Sequence, residues 1–175
     1  EETRKIPFVK EVLDPKNIKI AQRESLMWGT HQQKAIEYGN IVHEILSYVR
    51  TASDVGLALA KAIENGLIVE SQQEEVSKTL LLILNHPELV DYFAEGNNVM
   101  NEQTIIRKEG TPVKPDRMVM AKDNKVYLLD YKTGSHNQKY QQQLESYEQA
   151  IEKMGFQVAK KALVYIGEEV NVVNL

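Results

Sequence analysis

The residues best suited to chemistry fall in two short runs, Lys114-Pro115-Asp116 and Leu129-Asp130-Tyr131-Lys132-Thr133-Gly134. Asp130 follows four apolar residues, Val126 to Leu129. A carboxylate at the end of such a run lies at a sheet edge or inside a pocket. Strand alternation puts Val126, Leu128, Asp130 and Lys132 on one face, so Asp130 and Lys132 point the same way. The polar run Lys122-Asp123-Asn124-Lys125 reads as a hairpin turn between two apolar strands. Asp123 is the sequence midpoint between Asp116 and Asp130. A hairpin centred there sets the two aspartates on neighbouring strands about 4.8 Å apart, where they could share one divalent cation. Without a cation the carboxylates repel and one tends to stay protonated, with Lys132 offsetting part of the charge. Two carboxylates, a lysine and a hard cation make a hydrolytic kit for phosphodiesters. The metal polarises phosphate oxygens and acidifies a bound water. The lysine orients that water or stabilises developing negative charge.

The elements that must position these groups follow from periodicity. Residues 1–30 read as an irregular arm, with a helix begun at Ser25 to Trp28 and interrupted by Gly29. Ile36, Ile41, Val42, Ile45, Leu46 and Val49 mark the apolar face of a helix over 32–50. A second helix is expected over 53–65, with Ser53 as N-cap and Gly66 as its stop. A third starts at Ser71 with the capping box Ser71-Gln72-Gln73-Glu74 and ends near Asn85. Pro87 suits the first turn of a short helix through Phe93. After the turn cluster Gly96-Asn97-Asn98, strands are expected over 99–107, 113–121 and 125–132. A helix over 138–154, closed by Gly155, and strands over 157–166 and 170–173 complete the chain. This order predicts an α/β mixed sheet flanked by helices, with a helical N-terminal section. The 175 residues favour a single domain, helical over 1–95 and sheet-forming over 96–175.

Composition narrows the function classes. A hydrophobic share of 42% and a charged share of 26% are ordinary for a globular chain with a real core. The longest apolar run, residues 80–84, is far too short to cross a bilayer, and no signal-peptide pattern opens the chain; no membrane partner is expected. The absence of cysteine excludes disulfides, thiolate zinc sites and iron–sulfur clusters. It is compatible with a reducing compartment, and a cytoplasmic location is the expectation. The chain opens on Glu1, as a piece of something larger would. A net charge of −4 lends nucleic-acid binding no bulk electrostatic support. Any DNA affinity must come from a local basic surface, from metals or from a partner domain.

Pro115-Asp116 followed by Asp130-Tyr131-Lys132 resembles the signature of the PD-(D/E)xK nuclease superfamily. The string Asp130-Tyr131-Lys132-Thr133-Gly134 is similar to the nuclease domain of the RecB and AddA/AddB helicase–nucleases. Gly39-Asn40-Ile41-Val42-His43-Glu44-Ile45-Leu46 resembles that family's upstream helix, where a Gly precedes a metal-binding His by four residues. Gln143-Leu144-Glu145-Ser146-Tyr147 resembles its downstream Gln-x-x-x-Tyr motif. The position after the motif Gly, often Thr in the family, is Asn40 here. The resemblance implies a restriction-endonuclease-like core and Mg²⁺- or Mn²⁺-dependent hydrolysis of DNA, by an exonuclease mode. Its setting would be recombination and double-strand-break repair, beside a helicase motor in the same chain or a partner subunit. It implies His43, Asp116 and Asp130 as metal ligands, joined by the Tyr131 backbone carbonyl and by Glu102. Lys132 would position the attacking water. Gln143 and Tyr147, four apart on one helix face, would reach the scissile phosphate or orient Lys132.

Plainer readings compete at each position. Taken singly, Asp116 and Asp130 are ordinary turn and strand-end residues. A lone His43 among apolar helix residues is a satisfied core histidine, although Gly39 one turn earlier lets something approach closely. Glu102 reads equally as a solvated strand charge, and Gln143 with Tyr147 as part of an amphipathic helix. His31 suits a surface or capping role. His86 and His136 suit solvent, with His136 in reach of a phosphate, and Lys160-Lys161 suits a solvated strand edge. At the level of function, the rivals are an inactive DNA-binding or scaffolding module of the same fold and a stand-alone structure-specific nuclease. The intact Asp-Asp-Lys set argues against the inactive module, which has no need of all three.

Overall fold

The computed structural model describes residues 31–106, 110–121, 123–167 and 169–175. The expectations for residues 1–30, and for Lys122 in the turn, lie outside them. Strands β1 (Asn98–Asn101), β2 (Arg117–Met120), β3 (Lys125–Lys132), β4 (Gln157–Ile166) and β5 (Val170–Asn174) form one sheet in chain order. All neighbours are antiparallel except β3 and β4, which run parallel. A parallel step needs a crossover, and helix α4 (Gln138–Glu152) supplies it.

Alternation along β3 splits the core into two layers. Val126 and Leu128 face α4, where they meet Leu144, Tyr147 and Ile151. Leu129 and Tyr131 face the helical section, where α1 (His31–Leu46), α2 (Val55–Glu64) and α3 (Gln73–Leu84) contribute Ile45, Leu59 and Leu80. No helix among the described residues is long and apolar enough to cross a membrane.

The hairpin expectation is met in register. Met118 pairs with Leu128 and Arg117 with Leu129, a ladder centred on Asp123 whose next pair is Asp116 with Asp130. The Ala121 N–H to Lys125 carbonyl bond (2.9 Å) closes the turn, and Asn124 takes the positive φ of 61° that the turn requires.

Several boundaries differ from the sequence expectation. The strands expected over 99–107 and 113–121 are shorter. β1 stops at Asn101 because Glu102 turns left-handed (φ 55°), and pairing recurs only at the Ile105–Val113 bridge. β2 starts after Pro115, which has no N–H to give a ladder. The first helix ends at Leu46 instead of 50, leaving Val49 buried in a turn. Ser53 is not an N-cap. A 3₁₀ turn, Ala52–Asp54, precedes α2, and the Asp54 carboxylate accepts the N–H groups of Arg50 and Thr51 (2.9 Å each). Likewise the box expected at Ser71 and Glu74 lies two residues earlier, where Gln72 accepts the Val69 N–H at 3.0 Å. Past Pro87 only a 3₁₀ turn forms, Val90–Tyr92. α4 ends at Glu152, and Gly155 (φ 91°) makes the left-handed stop.

Candidate active site

The site lies where α1 meets the ends of β1, β2 and β3. A Cβ on Gly39 would sit 2.6 Å from the Ile166 carbonyl oxygen and 2.6 Å from Thr133 Cγ2, so only hydrogen fits there. This close approach presses α1 against the ends of β3 and β4. Thr133 Oγ1 donates to Asn40 Oδ1 at 3.2 Å and ties the same contact. One turn further on, His43 Nε2 is held 3.3 Å from Glu102 Oε1 and 3.3 Å from Asp116 Oδ2.

Each carboxylate is aimed by its backbone. Glu102 leaves β1 in the left-handed conformation while its N–H donates to the Asp116 carbonyl at 2.9 Å. Lys114 pairs with its side chain at 2.5 Å. Asp116 Oδ2 accepts the Tyr131 N–H at 2.8 Å. The ligand atoms of His43, Glu102 and Asp116 all lie within 4.8 Å of one another. Asp130 stands beside this trio, 1% exposed, its carboxyl close enough to Asp116 for the two to titrate as a pair. Its oxygens meet no donor among the described residues apart from the Lys132 ammonium. That ammonium also donates to Gln143 Oε1 at 2.9 Å, and Gln143 Nε2 in turn donates to the Tyr147 hydroxyl at 2.6 Å. Gln143 thus meets Lys132 directly, and Tyr147 is linked to it through Gln143.

This donor set fits a hard divalent cation. His43 Nε2 is buried with no hydrogen-bond partner among the described residues, although two carboxylate oxygens flank it at 3.3 Å. The carboxylate oxygens suit a hard divalent cation such as Mg²⁺ or Mn²⁺, the imidazole nitrogen is a softer donor that Mn²⁺ accepts more readily than Mg²⁺, and no thiolate competes.

The electrostatics show strain among like charges. Burial, and then the charge of Asp116, push Asp130 up to about 6, against the pull of Lys132. Burial alone would raise Asp116, but its contacts with His43 and the Tyr131 N–H hold it below its ordinary value. Burial alone would lower His43, yet Asp116, Glu102 and Asp130 together raise it. Burial, followed by the charges of Asp130 and Asp116, raises Tyr147, so its hydroxyl stays neutral.

A stability prediction follows for protein stripped of metal. Asp130 binds its proton more tightly folded than unfolded, so its ionisation costs stability as pH rises from about 4 to about 6. His43 is also raised, so its contribution is full below its ordinary value of 6.5 and is lost as pH rises through the folded value. Asp116 is lowered, and its contribution disappears only in stronger acid. In EDTA, Tm should therefore fall between pH 5 and pH 8, and Mn²⁺ should remove most of that fall. A Tm in EDTA that does not change over this range would refute the linkage.

Sequence reasoning missed Arg117. This guanidinium is fully buried. Its Nε donates to the Tyr92 carbonyl (3.1 Å). Its Nη1 donates to the Val49 carbonyl (2.8 Å) and to Asn101 Oδ1 (3.1 Å), and its Nη2 to the Arg50 carbonyl. It also lies 4.1 Å from the centre of the Phe93 ring. A charge between Asp116 and the apolar Met118-Val119 was the available signal, since a charge inside a strand must be buried with partners.

The remaining candidates lie away from the trio. His31 is exposed at the start of α1. His86 is half-buried instead of solvated, its Nδ1 accepting the Glu88 N–H at 3.3 Å. Lys160 is exposed as expected, in the part of β4 that β5 does not reach, whereas Lys161 is half-buried. Lys160 pairs with Asp91 and Lys161 with Glu148.

Comparison with known proteins adds two findings. The family model described as the PD-(D/E)XK nuclease superfamily matches residues 18–172. Among solved structures, one titled "Crystal structure of SSO0001" aligns over 79% of this chain and 74% of its own, at 16% identity and a TM-score of 0.37. No curated protein matches the chain in sequence.

Proposed function

The chain belongs to the PD-(D/E)XK nuclease superfamily, with the restriction-endonuclease-like mixed sheet of that family, and on that premise we propose that it is a divalent-cation-dependent deoxyribonuclease. The observation that carries the proposal is the convergence of His43, Glu102 and Asp116 within 4.8 Å of one another, beside the Asp130–Lys132 pair. His43 Nε2, Asp116 and Asp130 would hold Mg²⁺ or Mn²⁺, with Glu102 and the Tyr131 backbone carbonyl completing the ligands. The bound cation supplies polarisation of the scissile phosphate and acidification of a water.

The chain's own residues supply the rest. Lys132 orients the attacking water and stabilises charge that develops on the phosphate. Gln143 fixes the ammonium, because its Nε2–Tyr147 bond leaves Oε1 aimed at Lys132. Gln143 and Tyr147 are thus positioning residues for Lys132. We further read the chain as the nuclease section of a RecB- or AddA-like helicase–nuclease that works as an exonuclease on DNA ends during recombination and repair. The motif order supports this. So does a net charge of −4, which suits a domain fed its DNA by a motor.

The test is cleavage of linear duplex and single-stranded DNA with Mg²⁺ or Mn²⁺, comparing the wild type with Asp116→Asn. Metal-dependent cleavage that Asp116→Asn abolishes is expected. Folded, Mn²⁺-loaded protein that leaves every substrate intact, alone and joined to its flanking sequence, would overturn the proposal. His43→Ala should weaken Mn²⁺ binding at least as much as loss of a residue that merely orients a ligand, about 10- to 100-fold, with the fold intact. Unchanged affinity by calorimetry would remove His43 from the ligand set.

A further inference from the structure

Behind Lys132 lies a group of rings that the chemistry above does not use. Tyr140, in the first turn of α4, has the Lys132 ammonium 4.8 Å from its ring centre. Tyr140 lies 6.4 Å from Tyr165, the β4 residue opposite Lys132 in the parallel register. Tyr165 in turn carries the ring of His136, 3.8 Å away and tilted by 31°. The rings run from Lys132 out to the surface, because Tyr165 is 6% exposed, Tyr140 half-buried and His136 exposed.

The His136 imidazole lies against the Tyr165 ring, and His136 is itself exposed. The ring is held in place by a buried partner, so little side-chain entropy remains to be lost when something stacks on its outer face. Gly134, two residues earlier, is exposed, and a Cβ built on it would meet nothing within 4 Å.

We propose that His136 is the outer surface of a stacking platform that takes an unpaired nucleobase of the DNA strand, next to the phosphate bound at Lys132. This rests on the nuclease reading of the site and adds to it a subsite for the substrate. Every base has a π-face, so the platform accepts any of the four and favours single strands or frayed ends over closed duplex. It gives grip beside the scissile phosphate without reading sequence, which a chain of net charge −4 cannot obtain from bulk electrostatics.

The test compares wild type with His136→Ala, His136→Phe and His136→Lys in two assays. One is steady-state cleavage of a single-stranded oligonucleotide. The other is its binding by fluorescence anisotropy with Ca²⁺ in place of Mg²⁺. Loss of one stacking contact predicts that His136→Ala raises KM and Kd about 5- to 100-fold, with a smaller change in kcat. His136→Phe should keep wild-type affinity, and His136→Lys should resemble His136→Ala. In oligonucleotides with a single abasic position moved along the strand, one position should weaken wild-type binding by the same factor. That position should have no further effect in His136→Ala. Rescue by Lys but not Phe would assign His136 to a phosphate and overturn the platform. So would wild-type affinity in His136→Ala, with the nuclease reading left standing. A wild-type protein that neither binds nor cleaves the strand would overturn both.

Discussion

Replacing Lys132 by alanine is expected to slow DNA cleavage by about 10²–10³-fold, the usual cost of losing one preorganised electrostatic donor. Divalent-cation affinity should hold or rise slightly, because the ammonium is not a ligand and its positive charge opposes the cation. The ammonium is fixed from three sides, by Asp130, by Gln143 Oε1 at 2.9 Å and by the Tyr140 ring at 4.8 Å. Lys132→Arg should rescue poorly, since a planar fork cannot place its charge where a compact ammonium meets all three. Gln143→Leu should cause a smaller loss, confined to kcat, because the ammonium stays but loses a holder. Single-turnover cleavage measured beside Mn²⁺ calorimetry decides these points. Wild-type cleavage by Lys132→Ala would remove Lys132 from the chemistry. Loss of Mn²⁺ binding in that variant would make its role structural.

Arg117→Met should destabilise the protein by about 3–5 kcal/mol or prevent folding, as removal of one member of a buried charged network does. No carboxylate is among its hydrogen-bond partners in the described residues. Three main-chain carbonyls, Asn101 Oδ1 and the Phe93 ring meet its charge. Burial holds the guanidinium below its ordinary pKa. Methionine fills much of the volume but leaves the Tyr92 carbonyl and Asn101 Oδ1 without this donor, at about 1–3 kcal/mol each where they are buried, while the Val49 carbonyl keeps its bond from Asn101 Nδ2. Lysine has three donors for four acceptors and should fail almost as badly. Urea unfolding is the measurement, and a loss below about 1 kcal/mol would mean the network is dispensable. The same guanidinium joins the start of β2, directly after Asp116, to the turn that follows α1, the helix that carries His43. A variant that still folds should therefore bind Mn²⁺ more weakly.

What could be read from the sequence follows the range of the physics behind each signal. The β2–β3 hairpin was legible because its register depends on local alternation and a polar tip, so Asp123 marked the pairing that brings Asp116 to Asp130. The crossover helix and the buried face of α1 were legible for the same reason. The trio of His43, Glu102 and Asp116 gathers residues from three distant elements, and only the family resemblance pointed to it. The left-handed turn at Glu102 cut short the strand expected over 99–107, a backbone choice that side-chain periodicity does not signal. The early helix caps escaped notice because the acceptors were Asp54 and Gln72, residues whose types fit a helix interior as well as a cap. Arg117 looked like a strand charge until its acceptors, from segments 16 to 68 residues away, came together.

The β2–β3 hairpin also works as a proofreading device. Its side chains alternate, so a slip of one residue turns all of β2 over. The slip that would aim Asp116 into the apolar layer beneath the helices would also swing Arg117 out of its carbonyl cage. Misalignment then removes the Asp116 carboxylate from the candidate site and several kcal/mol of stability together. A misregistered chain is therefore a poorly folded one, open to proteolysis, and does not persist as a sound protein with a defective site. Extra residues at the tip are harmless if they loop outward, because they leave the ladder's frame unchanged.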